Sequence, residues 1–299
     1  MNYTFPPPDV SIPTELSPHT YFVPVDYYVH PKERPPSPAI RARIGAKHES
    51  YRNFLRGSLQ YQNQFRRIPV EDNGRTANTE PVWINEWFSA LDAISLYTLI
   101  AHSRPTTYIE IGSGHSTRFA RRAIEDFGLA TRLCSIDPTP RTEIDELCDE
   151  VIRQPLESID LDVFRNLGVG DFAFLDGSHR VFQNSDATIF LTEIVPSLTP
   201  GVIVGIHDVF LPYDYPTAWL RRYYSEQYLL GCYLLGGDAI DVLCPVHYIS
   251  KTPDLLSVLD PIWNDPALPG LWKVGGMFWF TRAVADQSES SGIPKSVGR

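Results

Sequence analysis

The run TYIEIGSGHSTRFA, Thr107 to Ala120, constrains the fold of this chain more than any other. Tyr108, Ile109 and Ile111 are aromatic or β-branched, the types that a buried strand favours. Gly112 and Gly114 follow, where the backbone can turn tightly and a ligand can approach with no Cβ in the way. Ser116 or Thr117 then offers a hydroxyl to cap a helix. Strand, glycine turn and helix N-terminus together form a nucleotide-binding corner of an α/β fold.

The rest of the chain fits around that corner. Strands are expected near 107–111, 132–136, 149–153, 171–176 and 201–206, and helices near 116–127, 141–147, 159–167, 184–196 and 216–231. The alternation implies right-handed βαβ units, hence a Rossmann-like, doubly wound, mostly parallel sheet covered on both faces. The segment WINEWFSALDAISLYTLIAH has apolar residues at helical spacing and leads directly into the first strand. After Gly237, DAIDVLCPVHYISK and GGMFWFTRA read as two strands around a helical or irregular insert, and so as an antiparallel edge. Three parts follow: residues 1–80 as a proline-rich arm and helical extension, 81–285 as the α/β domain, and 286–299 as a polar tail expected to be disordered. Prolines at Pro6–Pro8 and Pro35–Pro36 keep the arm extended, and its tyrosines and phenylalanines suit wrapping its own body or a neighbouring subunit. Residues 39–67 read as helical and basic, and a solvated face is preferred there over an anion site.

Bulk properties exclude several classes. A net charge of −10 over 299 residues argues against a general nucleic-acid surface. Cys134, Cys148, Cys232 and Cys244 form no CxxC pair and read as free thiols of a reducing compartment, not as metal ligands. No apolar run reaches the ~18 residues of a membrane span, and the N-terminus lacks the basic and apolar regions of a signal peptide. A cytoplasmic protein acting on a small molecule is expected, without nucleic-acid or membrane partners, and with the arm able to mediate a homo-oligomer.

Two acids narrow the choice of nucleotide. Glu110 ends the first strand, two residues before Gly112, and Asp137 ends the second in LCSIDPTPR. A carboxylate at the second position can accept from both ribose hydroxyls, while Glu110 is placed to receive an ammonium or to order the glycine loop. The third glycine of a dinucleotide fingerprint is replaced by Thr117, no GxxxxGK[ST] occurs, and no Lys or Arg lies within the turn to meet a pyrophosphate. A cationic nucleoside without phosphate, such as S-adenosylmethionine, suits the corner.

Four segments carry a family likeness: E-I-G-S-G-H-S-T (Glu110 to Thr117), I-D-P (Ile136 to Pro138), F-L-D-G-S-H (Phe174 to His179) and G-I-H-D (Gly205 to Asp208). In that order, at successive strand ends, they resemble the class I S-adenosylmethionine-dependent methyltransferases and are most similar to methyltransferase family 24. The likeness spans Trp83 to Arg282. It implies a seven-stranded sheet with a reversed last strand. It also implies that Glu110, Gly112, Ser113, Gly114 and Asp137, together with Asp176, hold the cofactor, with Gln154 and Leu156 bordering the adenine.

The chemistry beyond the cofactor falls on Asp176, His179, His207 and Asp208, at the carboxyl ends of adjacent strands. Three readings stand open. His179 can be a general base toward an acceptor hydroxyl, with Asp176 and Asp208 as catalytic partners, as the resemblance to sugar-methylating relatives with D-x-x-H implies. Asp176, His179, His207 and Asp208 can supply ligands to a divalent ion, Mg or Fe. The groups can also be structural, Asp176 as a helix cap and His207 bonded to backbone. The resembled relatives carry paired acids where this chain has His207–Asp208, which favours a softer metal or none. Two histidines and one carboxylate also leave room for a non-haem-iron oxygenase or lyase on this fold. Elsewhere, Glu226 is read as a helix-surface acid, Trp83 and Asn85 as candidate substrate contacts, Trp87 and Phe88 as core, and His115 as either a substrate contact or solvent-facing. FLPYDYP, Phe210 to Pro216, reads as a stiff loop over the site or as core packing.

Overall fold

The computed structural model describes residues 35–72, 74, 79–140 and 143–283. Residues 1–34 of the expected arm and the expected tail 286–299 lie outside the described residues. Before the sheet come α1 (Pro38–Gly45), α2 (His48–Ser58), α3 (Gln62–Phe65) and α4 (Ala90–Ser103). The α/β body follows as β1 (Thr107–Ile111), α5 (His115–Asp126), β2 (Arg132–Ile136), β3 (Glu150–Ile152), β4 (Phe172–Leu175), α6 (Asp186–Ile189), α7 (Val195–Ser197) and β5 (Ile203–Ile206). The chain continues with α8 (Glu226–Leu235), β6 (Ile240–Pro245), α9 (Val246–Ser250), α10 (Pro253–Leu256), α11 (Asp260–Trp263) and β7 (Phe278–Arg282).

These strands make one seven-stranded sheet of order β3-β2-β1-β4-β5-β7-β6. β7 is antiparallel to both β5 and β6, and the other pairs are parallel. The reversed strand expected at the edge therefore lies one place in, and β6 holds the edge. Strand order reverses at β1/β4, which opens a crevice above the carboxyl ends of β1 and β4. The strands read as continuous apolar runs because both faces are covered: Phe172, Ala173, Phe174, Val204 and Ile206 are all buried. Gly205 is required where β5 meets β7. A Cβ there would sit 2.2 Å from the Trp279 ring, whose Nε1 donates to Ser95 Oγ at 2.8 Å.

α4 is buried from Ala90 through Ala101, on its polar positions Asp92, Ser95 and Thr98 as well as on the face of apolar residues at helical spacing. It packs on both α2 and α5, and Ile44, Tyr51, Leu55 and Phe65 of the preceding helices share one core with the sheet. The basic residues of that region meet acids: Arg43 pairs with Asp238, Lys47 with Asp241, and Arg52 Nη2 with Asp254 Oδ2 at 2.6 Å. They thus face solvent and carboxylates, in line with the solvated-face reading.

Two expected helices shrink. In place of 141–147, only Asp145–Leu147 forms a 3₁₀ turn among the described residues. In place of 159–167 stands one 3₁₀ turn, Leu161–Phe164, the second after a separate 3₁₀ turn at Leu156–Ser158. There the Asp160 carboxylate accepts from Asp162 N at 3.0 Å and caps the start of the second turn. Without a full helix, that face of the sheet keeps a cavity of about 190 Å³ lined by Ile109, Cys134, Ile152, Val163 and Leu167. The expected helix 184–196 is present as one unbroken run over 186–197, with a π-helical turn at Phe190–Ile194 between α6 and α7.

Candidate active site

The glycine turn is built by close backbone approach. Gly112 has φ +76°, and a Cβ on it would lie 1.9 Å from the Asp176 carbonyl oxygen. Its N–H donates to Ile136 O at 3.0 Å, while Asp176 N donates to Ile111 O at 2.8 Å, so three strand ends are tied together at one point. α5 begins at His115, one residue earlier than expected, and its N-cap is Gly114 and not Ser116 or Thr117. Thr117, at the third helical position, reaches back to accept from Gly114 N at 2.9 Å. Open space lies beside Gly114.

The two acids of this corner do different things. Glu110 is fully buried, and its oxygens accept from Ser116 Oγ and, at 2.9 Å, from Thr117 Oγ1. Of its two expected roles, it fills that of ordering the loop. Burial, with the charges of Asp176 and Asp137, pushes its carboxyl up to about 8 against the pull of the two hydroxyls. Asp137 accepts from Ser113 N at 2.9 Å on Oδ2 and from Thr139 N at 2.8 Å on Oδ1. Each oxygen keeps a further acceptor site, which suits a vicinal diol. Ser113 Oγ lies 2.6 Å from Ser135 Oγ. Of the residues expected at the adenine, Leu156 is buried and Gln154 exposed.

At the ends of β4 and β5 the remaining polar groups converge. Asp176 Oδ1 lies 3.2 Å from His179 Nε2 and 3.2 Å from His207 Nδ1. Asp208 Oδ2 lies 3.6 Å from His179 Nε2. One ligand atom each from Asp176, His179 and Asp208 falls within 4.8 Å of the others, a set able to hold a divalent cation. His207 is outside that set. It bridges Asp176 to Asp92 of α4, whose Oδ2 is 3.8 Å from His207 Nε2, and its ring packs at 5.4 Å on Phe88. The mutually close set therefore holds one imidazole and two carboxylates, not the two imidazoles and one carboxylate of a non-haem-iron centre. His179 (φ 60°) and Asp208 (φ 56°) both hold left-handed backbone, a strain that collects at functional sites.

The electrostatics are strongly coupled. Burial alone would raise the Asp176 carboxyl, but the charges and hydrogen bonds of His207 and His179 outweigh it and hold it well below the usual carboxylate range. Burial likewise favours neutral imidazoles, yet Glu226, Asp176 and Asp208 push His179 well above its usual range. Asp176, Asp208 and Asp92 do the same for His207.

Two of these acids were not legible as site residues. Glu226, read as a surface acid, is fully buried, and its Oε1 lies 3.0 Å from His179 Nδ1. The single helix expected over 216–231 is broken: a 3₁₀ turn ends at Arg222, Tyr223 turns left-handed, and α8 restarts at Glu226. The break points the first turn of α8 at His179. Asp92 is buried too, accepting from Gly276 N at 3.0 Å and Met277 N at 2.7 Å. The aromatic expectations partly exchange places. Trp83 is core, its Nε1 donating to Phe65 O at 3.1 Å, and Asn85 braces the loop by accepting from Phe88 N at 2.7 Å. Trp87 is 53% exposed, whereas Phe88 is buried as expected. His115 is half-buried with a shielded, unpartnered Nδ1, and burial lowers its pKa to about 4. In the loop after Asp208, Phe210 is buried and Tyr215 meets Tyr224 edge-on, while Tyr224 stacks on His179 at 4.3 Å.

One family model and several solved structures are similar to the chain. The methyltransferase family 24 profile, described as Methyltransferase domain, matches residues 109–209, from β1 to just past Asp208. No curated protein matches the chain. Solved structures similar to it include SAH-bound methyltransferase PaMTH1 of Podospora anserina, at 15% identity over 76% of this chain and 88% of that one, with a TM-score of 0.40. Another is the O-methyltransferase TomG of Streptomyces achromogenes in complex with SAM, at 14% identity over 75% and 96%, TM-score 0.43. A third is an O-methyltransferase of Bacillus cereus in complex with SAH, at 15% identity over 78% and 91%, TM-score 0.37. The matched segment, residues 109–209, carries the glycine turn and both corners of the site, and over it the chain is similar to the methyltransferase family 24 domain.

Proposed function

We propose that the protein transfers the methyl group of S-adenosylmethionine to a hydroxyl of a small molecule. The observation that carries this reading is the placing of His179 Nε2 beside Asp176 and Asp208, at the switch in strand order next to the glycine turn. Gly112, Ser113 and Gly114 would line the cofactor, Asp137 would take the ribose hydroxyls, and Glu110 would hold the loop in shape.

Methyl transfer to oxygen is an in-line displacement on the sulfonium carbon. The acceptor hydroxyl loses its proton as the new C–O bond forms, and the positive charge on sulfur disappears. His179 takes that proton on Nε2. Its raised proton affinity makes it a strong acceptor once neutral, and the neutral fraction grows with pH. Asp176 and Asp208 orient the hydroxyl and balance the imidazolium that results. As an alternative to that base role, the same three side chains fit a divalent cation, which when bound through His179 Nε2 would itself lower the hydroxyl's pKa and orient it.

Calorimetric titration with S-adenosylhomocysteine tests the reading. Micromolar or tighter binding is expected, and a folded sample giving neither heat nor a thermal shift would sink it. Metal analysis of protein purified without chelator separates the other class: stoichiometric iron would favour an oxygenase.

A further inference from the structure

Glu226 stands out among the buried acids because its surroundings do not account for it. It lies at the first position of α8, is fully buried, and has one oxygen, Oε2, with no hydrogen-bond partner. A buried carboxylate is retained only where a charge or donor compensates it, and the group that does so here is the His179 ring, 3.0 Å away through Nδ1.

The local chain is arranged to keep that pair together. Ser225 N donates to His179 O at 2.8 Å, and Val181 N donates to Ser225 Oγ at 2.8 Å, so the start of α8 is pinned to the His179 turn on both sides. Tyr224 closes one face of the imidazole, with ring centroids 4.3 Å apart and planes 32° apart. Nδ1 is thereby turned into the protein and Nε2 onto Asp176 and Asp208. Which ring nitrogen is free for chemistry is set by the bond that the other one makes.

We infer that Glu226 is a positioning residue: it holds His179 with Nδ1–H bonded to its own carboxylate, and so commits Nε2 to the acceptor. The inference rests on the methyl-transfer reading above. It assigns this role to an acid 47 residues away from His179 in the chain.

Histidine-selective ¹⁵N labelling of the full chain tests it without an identified acceptor. With S-adenosylhomocysteine bound, the wild type should show one strongly downfield, slowly exchanging ring N–H on Nδ1 of His179, assigned by its loss in His179→Asn. Glu226→Gln, which keeps shape and removes charge, should lose this signal or move it well upfield, with S-adenosylhomocysteine affinity within about twofold of wild type, since the cofactor corner is separate. A Glu226→Gln spectrum with the signal in place overturns the inference. So does a wild type that never shows it, which decides the matter even if the variant does not fold. A merely structural Glu226 would lower the melting temperature and leave the surviving signal unchanged. Wild type that binds no S-adenosylhomocysteine overturns the methyl-transfer reading instead, and the His179 spectrum still decides whether Glu226 holds the ring.

Discussion

The two corners of the crevice use the same side chains in opposite ways. At the ends of β1 and β2, Glu110 and Asp137 accept from uncharged donors: two hydroxyls for the first, two backbone N–H groups for the second. At the ends of β4 and β5, Asp176 and Asp208 face imidazoles. The first corner is a mould, its shape fixed by backbone and short hydroxyls. The second is a network of charges that can take up or release a proton. A binding surface needs the former and acid–base chemistry the latter, and substitutions should separate them.

The largest effect is expected where the corners touch. Gly112 belongs to the mould, but its missing Cβ is what lets the Asp176 carbonyl approach. Gly112→Ala adds a methyl group inside contact distance at a left-handed φ. It should destabilise the protein by about 3 kcal/mol or more and lower the melting temperature by roughly 5–10 °C. S-adenosylhomocysteine binding should be lost with it. A variant that melts and binds as wild type does would mean that the turn is not built as described.

Next comes a crossed pair. His179→Ala should slow turnover by about a hundredfold or more and change S-adenosylhomocysteine affinity by less than about twofold. Asp137→Asn should weaken that affinity by about 10- to 100-fold, the usual worth of a hydrogen bond to a charged group, with a smaller effect on turnover at saturating cofactor. Calorimetry and single-turnover rates on both variants check the crossing. Equal losses in both quantities for both variants would erase the division between mould and network.

The mould was legible in the sequence and the network only half so, for a physical reason. Strand, glycine turn and helix N-terminus are made by consecutive residues, so their chemistry is written locally in TYIEIGSGHSTRFA. Asp176, His179, His207 and Asp208 were found because strands of a doubly wound sheet end on one side. Nothing local marks Asp92 or Glu226, since each becomes a site residue only by tertiary contact. Asp92 looks like an ordinary helix-start acid, and Glu226 reads as a surface acid unless the break at Tyr223 is known. The expected helices near 141–147 and 159–167 shorten to 3₁₀ turns among the described residues, the second of them capped by the Asp160 carboxylate.

The last prediction sharpens the contrast through its sign. Burial lifts the Glu110 carboxyl from its ordinary 4.5 to about 8, so the folded protein keeps this proton after the unfolded chain has lost it. Between those values folding binds a proton, and stability falls as pH rises, by at most about 1.4 kcal/mol per pH unit. Asp176 works the other way. It is held below its ordinary range, so its contribution is present above that range and is lost on acidification. Glu110→Gln removes the titration while keeping the size of the side chain. Denaturant unfolding of both proteins across the window from pH 4.5 to about 8 should therefore show the wild type losing ground steadily to the variant, with the two curves parallel outside it. Parallel curves throughout would mean that Glu110 ionises as a solvated acid does, and that the β1 corner carries a charge like its neighbour.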